Sequence, residues 1–163
     1  MAYDWGRFSQ QARIKVPSQK VYDAWTTQDG LESWFLRMAE FKTADGRVRS
    51  RDESIAEGDS YHWRWHGHPD DVEEFGTVLE ANGKDKLRFT FGKAGVVTVD
   101  LSGNNGTTMM QITQEDIPTD EESRVQFHIG CQTGWTFYRA NIKCVLEGIS
   151  DARNIGFNNE HND

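Results

Sequence analysis

The stretch Ser60-Tyr61-His62-Trp63-Arg64-Trp65-His66-Gly67-His68-Pro69 admits two readings, and the fold turns on which is taken. Three histidines within seven residues suggest a metal site, whereas Tyr61, Trp63 and Trp65 at alternate positions suggest a strand with one aromatic face. In a strand, His62, Arg64 and His66 share the opposite face. Exposing three large rings together is costly, so the aromatic face turns inward and the histidines outward. A zinc ion wants three or four neutral ligands converging on one point, with no cation among them. His62 and His66 stand roughly 13 Å apart along a strand, with Arg64 between them. His66 and His68 converge only if Gly67 and Pro69 bend the chain toward Asp70 or Asp71. The stretch therefore reads as a strand lining something large and apolar, with surface histidines around a turn and no metal.

Working outward, residues 8 to 16 end in alternating Ala12, Ile14 and Val16 and read as a first strand. Pro17 and Ser18 open a short helix carrying Val21, Tyr22 and Trp25 at helical spacing, and a second short helix, LESWF at 31 to 35, follows the Thr26–Gly30 break. Six further strands are expected: LRMAEFKT, SYHWRWH, EEFGTVLEA, KLRFTFG, VVTVDLS and TTMMQITQE. The connections Asn82–Asp85, Gly92–Gly95 and Gly103–Gly106 are short and rich in Gly, Asn and Asp, which predicts an antiparallel meander. Residues 43 to 59 form a longer, charged connection that reads as mobile. After Pro118, Thr119 and Glu122 match a capping box. Beyond them Cys131, Trp135, Tyr138, Ile142, Val145 and Ile149 recur every three or four residues, which predicts one long amphipathic helix. A sheet apolar on one face must bury it, and that helix is the element long enough to do so. The fold class is α+β, with one domain over residues 1–155 and a flexible tail at 156–163.

The totals narrow the function. A chain of 163 residues with 36 % hydrophobic and 12 % aromatic content can bury a real core. A formal charge of -8 argues against nucleic acid and against anionic membrane as partners. The N-terminal stretch has no apolar core of signal-peptide type, and a cytoplasmic protein is expected. Cys131 and Cys144 fall thirteen residues apart in the same predicted helix, too distant for a bridge, so both read as free thiols.

The segments VYDAWTTQDGLESWF (21–35), YHWRWHGHP (61–69), GTVLEA (76–81), KLRFTFG (86–92) and GWTFYRANIKCVLEG (134–148) carry a resemblance that spans nearly the whole chain. In order and spacing it resembles the helix-grip fold of the START-like and birch-pollen-allergen superfamily, and within it the branch named after the activator of the heat-shock chaperone ATPase. The resemblance implies a curved antiparallel sheet of six to seven strands, two short helices after the first strand, and a long C-terminal helix over the sheet with a cavity between them. It implies less about function, since this superfamily holds lipid carriers, hormone receptors, cyclases and co-chaperones. The HWRWHGH cluster and the glycine pair Gly130 and Gly134 depart from the family pattern.

The expected activity is binding of an apolar or aromatic small molecule in that cavity, with Trp34, Trp63, Trp65, Phe89, Phe91, His128, Cys131, Trp135 and Tyr138 as candidate contacts. The rings either line an open pocket or fill it. Gly130 and Gly134 would remove side chains from one turn of the helix to leave space, or would allow close packing on the sheet. No catalytic signature or phosphate-binding loop is present and no cofactor is expected. His128 and Cys131, three apart, would be neighbours on a helix. The acidic pairs Asp70-Asp71 and Glu73-Glu74 read as solvated edges. Two alternatives stand beside ligand binding: a co-chaperone-like interaction module, and a cyclase- or hydrolase-type enzyme using the same cavity. A homodimer is a further expectation.

Overall fold

The computed structural model describes residues 1–155; the expected tail at 156–163 lies outside them. Strand β1 (Phe8–Ile14) is followed by helices α1 (Ser18–Thr26) and α2 (Gln28–Trp34). Strands β2 (Met38–Lys42), β3 (Ser60–Arg64), β4 (Glu73–Ala81), β5 (Lys86–Thr90), β6 (Val96–Asn104) and β7 (Thr107–Glu115) come next. A helical turn, α3 (Glu121–Ser123), runs through a π-helical stretch (Arg124–Ile129) into the long helix α4 (Gly130–Leu146). The strands form one antiparallel seven-stranded sheet in the order β1-β7-β6-β5-β4-β3-β2, so the chain's first strand closes the meander beside its last.

The two readings of the opening stretch are resolved by burial. Tyr61 and Trp63 are buried, while His62 and Arg64 face out and share the Glu73 carboxylate. β3 ends at Arg64, two residues before the expected limit, because His66 and Gly67 enter a turn in which Gly67 takes φ 78°. Register then fixes the inner face of the neighbouring strands: Trp63 stands opposite Ala39 on one side and Glu74 on the other, and Tyr61 opposite Phe41 and Gly76.

The helices begin and end for local reasons. Thr27 Oγ1 accepts from Gly30 N at 2.9 Å and caps α2. The cap of α3 is Asp120, accepting from Ser123 N at 3.0 Å, one residue beyond the expected Thr119. A carboxylate there also meets the positive end of the helix dipole. α4 stops at Gly148, whose φ of 73° allows Ile149 N to donate to Cys144 O and Gly148 N to Val145 O. Ile149, expected on the helix's apolar stripe, therefore lies past the end of α4 and is exposed.

The charged connection 43–59 is braced rather than loose. Arg49 pairs with both Asp59 and Glu53, Arg47 with Glu53 at 2.8 Å, and Arg51 with Asp29 and Glu32 on α2. Ile55 is buried, and its N–H donates to Thr26 O. The segment also lies along the free edge of β2, where Arg49 N donates to Phe41 O and Val48 bridges Lys42.

Candidate functional site

The interior between α4 and the sheet is a mesh of rings. Trp25 lies 5.7 Å from Trp135 and 4.7 Å from Trp34, Phe35 lies 5.3 Å from Trp135, and Trp63 lies 5.3 Å from Phe89, all between ring centroids. Of the expected contacts, Trp34, Trp63, Phe89 and Trp135 are fully buried in this mesh. They form the floor. Trp135 is fixed there by its Nε1, which donates to Gln114 Oε1 at 2.9 Å, while Gln114 Nε2 donates to Ala94 O.

Four other expected residues sit higher. Trp65, Phe91, Cys131 and Tyr138 are half-buried, each packed against the core. Phe91 lies 5.9 Å from Trp135, and Trp65 and Tyr138 lie 6.2 and 4.9 Å from Phe35. Together they make a rim over the aromatic floor. Gly134 falls between Cys131 and Tyr138 on the same stripe of α4. Among the described residues, a Cβ at Gly134 would meet nothing within 4 Å, and one at Gly130 only Val125 O at 3.6 Å. Neither glycine is required for close packing on the sheet, and no described residue fills the space beside Gly134.

His128 is placed elsewhere. The π-helical stretch turns it toward the N-terminal segment, where Nε2 pairs with the Tyr3 hydroxyl and Nδ1 with Trp5 O, each at 2.8 Å. The rings of Tyr3, Trp5 and Phe8 surround it at 5.2–5.3 Å. Both ring nitrogens are committed, so His128 neither orients a ligand on the rim nor activates Cys131. Burial lifts the Cys131 thiol above its usual range; a hydrogen bond with Gln114 opposes that and the Glu74 charge adds to it. Such a thiol is a poor nucleophile at neutral pH.

One residue of the site escaped the sequence reading. Glu74 is not a solvated edge: the β3–β4 register sets it opposite Trp63, on the concave face. Its carboxyl is half-buried, its acidity weakened by burial alone, and it contributes to the electrostatics of Cys131 on α4 and Tyr61 on β3. Strand alternation was the signal available, since Glu73 and Glu74 must point to opposite faces. The rest of the histidine cluster is external. His62 stacks on Phe75 at 4.3 Å, and burial, with Arg153 and Arg37 nearby, lowers the His66 pKa. Among the described residues no group of three or more His, Cys, Asp or Glu converges to hold a metal ion.

A second buried polar feature closes the far end of α4. Asn141 Nδ2 donates to Trp34 O and to Asp151 Oδ1, its Oδ1 accepts from Ala152 N, and Arg153 pairs with Asp151 while donating to Leu36 O. This clasp joins α2, α4 and the segment after it.

A long helix gripped against an antiparallel seven-stranded sheet, with two short helices after the first strand, defines a helix-grip protein. Residues 15–147 match the family model described as activator of Hsp90 ATPase homolog 1-like protein, and the chain belongs to that family. A crystal structure of a protein from Staphylococcus saprophyticus superposes with a TM-score of 0.68 at 18 % identity, covering 90 % of this chain and 96 % of that one. The solution structure of an Aha1 dimer from Colwellia psychrerythraea gives a TM-score of 0.67 at 17 % identity, over 88 % of this chain and 98 % of that one. A crystal structure from Nitrosomonas europaea gives 0.69 at 12 % identity, over 90 % and 97 %. These likenesses speak to fold alone. No curated protein matches the chain. Among the described residues, no helix is long and apolar enough to cross a membrane.

Proposed function

We propose that this chain binds an apolar or aromatic small molecule on the rim between α4 and the sheet. The observation that carries the reading is the half-burial of Trp65, Phe91, Cys131 and Tyr138 around one aromatic floor, with no described residue filling the space beside Gly134. Large apolar side chains left half-covered at the meeting of two layers gain by covering one another with a ligand. The test is native mass spectrometry of the purified protein with denaturing extraction of anything bound, followed by titration with the neutral fluorescent reporter N-phenyl-1-naphthylamine. Saturable binding that weakens about tenfold or more in Phe91→Ala supports the reading, since burying one aromatic side chain is worth ~1.5–3 kcal/mol. Absence of both a co-purifying molecule and reporter binding overturns it.

A second reading, association with another protein chain, is favoured by Val125, Ile129 and Phe137, apolar side chains exposed along the outer flank of the C-terminal helical segment. The Colwellia psychrerythraea neighbour is a dimer. A homodimer through this flank would appear in sedimentation velocity and be lost in Ile129→Glu. A monomer at every concentration tested removes that version. Catalysis in the same site would need a titratable group facing it, and Glu74 is the residue placed to serve.

A further inference from the structure

The Glu74 side chain adds no bond that holds the fold together among the described residues. Among the described residues no donor reaches its carboxylate, and burial is the sole influence on its acidity. A half-buried, unpaired acid costs stability, so its presence on the concave face calls for an explanation. Its surroundings supply one. Across the ladder, Trp63 is 2 % exposed and its Nε1 has no hydrogen-bond partner among the described residues. On the adjoining turn, Gly92 takes φ 53°, and a Cβ there would collide with the Glu74 carboxylate. The absence of a side chain at 92 makes room for the acid beside Phe91. The Glu74 charge is felt by Cys131 on α4 and by Tyr61 on β3, and burial raises the pKa of both groups. No cation of the chain pairs with Glu74 among the described residues, and Arg64, on the outer face of β3, takes Glu73.

We propose that Glu74 determines ligand class at this rim: it anchors the basic nitrogen of an aromatic or apolar amine, whose ring lies over Phe91, Trp65 and the aromatic floor. The proposal rests on the rim-binding reading and specifies it. A protonated amine supplies the donors and the positive charge that Glu74 lacks, and the faces of Phe91 and Trp65 favour a cation on electrostatic grounds. An anionic ligand would meet the Glu74 charge at close range with no described cation paired to it.

The experiment uses the full chain and competition against N-phenyl-1-naphthylamine. Three competitors share one ring and differ in the head group: 2-(1-naphthyl)ethylamine, 2-(1-naphthyl)ethanol and 1-naphthylacetate. On the wild-type protein the amine should displace the reporter at concentrations about tenfold or more below those of the alcohol, with the acetate weakest, as expected when a partly desolvated charge-assisted hydrogen bond is made. Glu74→Gln, isosteric with the acid, should erase the amine's advantage over the alcohol, each competitor being read against that variant's own reporter affinity; Glu74→Leu should do the same. Equal displacement by all three on wild type, or an amine preference that survives both substitutions, overturns the role of Glu74 while leaving rim binding intact. Failure of the reporter itself to bind, with no co-purifying molecule, overturns both.

Discussion

Trp135 on α4 donates its indole N–H to the side chain of Gln114 on β7, 2.9 Å away and out of reach of water. The bond sets the long helix at one depth over the sheet. Gln114→Leu strands the Trp135 N–H and the Ala94 carbonyl together, and each unpaired buried group costs ~1–3 kcal/mol. Urea unfolding should therefore show a loss of about 2–4 kcal/mol, with an altered near-ultraviolet signal from Trp135. A variant as stable as wild type would mean that the bond does not position the helix.

Asp151 responds to acid. Its pairing with Arg153, opposed by burial and assisted by Asn141, holds its pKa down at about 2. A depressed carboxyl pKa contributes stability above the unfolded value, near 3.8, which is lost as pH falls through about 2. Asp151→Asn should thus lower the melting temperature at neutral pH, and the gap to wild type should close between those two values. A constant gap across that window would assign the effect to packing.

Glu74 carries the opposite sign. Burial raises its pKa above the ordinary 4.5, so the folded state bears a cost at neutral pH that disappears below the unfolded value. Glu74→Gln should raise the melting temperature by a few degrees at neutral pH, and by nothing once the solution is more acidic than the unfolded carboxyl. A variant destabilised at neutral pH would reveal a structural partner for this carboxylate.

Two glycines should behave oppositely. Gly134→Ala adds a methyl group to open space in a helix interior and should stabilise by up to ~1 kcal/mol. Gly95→Ala places a Cβ against Glu115 O at φ 97° and should destabilise by more than about 1 kcal/mol. Chemical denaturation of the pair tests the backbone account of both positions.

Most of the fold was legible because the periods were clean. Tyr61-Trp63 and Phe89-Phe91 alternate without interruption, and Trp135, Tyr138 and Ile142 hold helical spacing, so layers and faces followed. The site was legible only in part. Residues such as Trp34, Trp63 and Trp135 announce an aromatic interior, yet sequence does not say which rings become floor and which rim. That depends on how deep α4 sits, and Gln114, Asn141 and Ala94 set that depth through long-range bonds. His128 escapes a helical wheel because it lies in the π-helical stretch, where it bonds the N-terminal segment through Tyr3 and Trp5. Glu74 was hidden by its neighbour, since an adjacent Glu-Glu pair looks like surface until the pairing register assigns each to a face.

The braced segment over β2 has a consequence for how the protein fails. An open sheet ends in two unpaired edges, and the β2 edge is screened by residues 47–49, which are held largely by arginine–carboxylate pairs around Arg49. Glu53, its pKa held at about 2 by Arg47, the Ser50 N–H and Arg49, is one clamp of that screen. Strong acid or concentrated salt loosens the clamps before it dissolves the aromatic interior. What emerges is a nearly native chain with a bare strand margin, able to extend its ladder with another copy of itself.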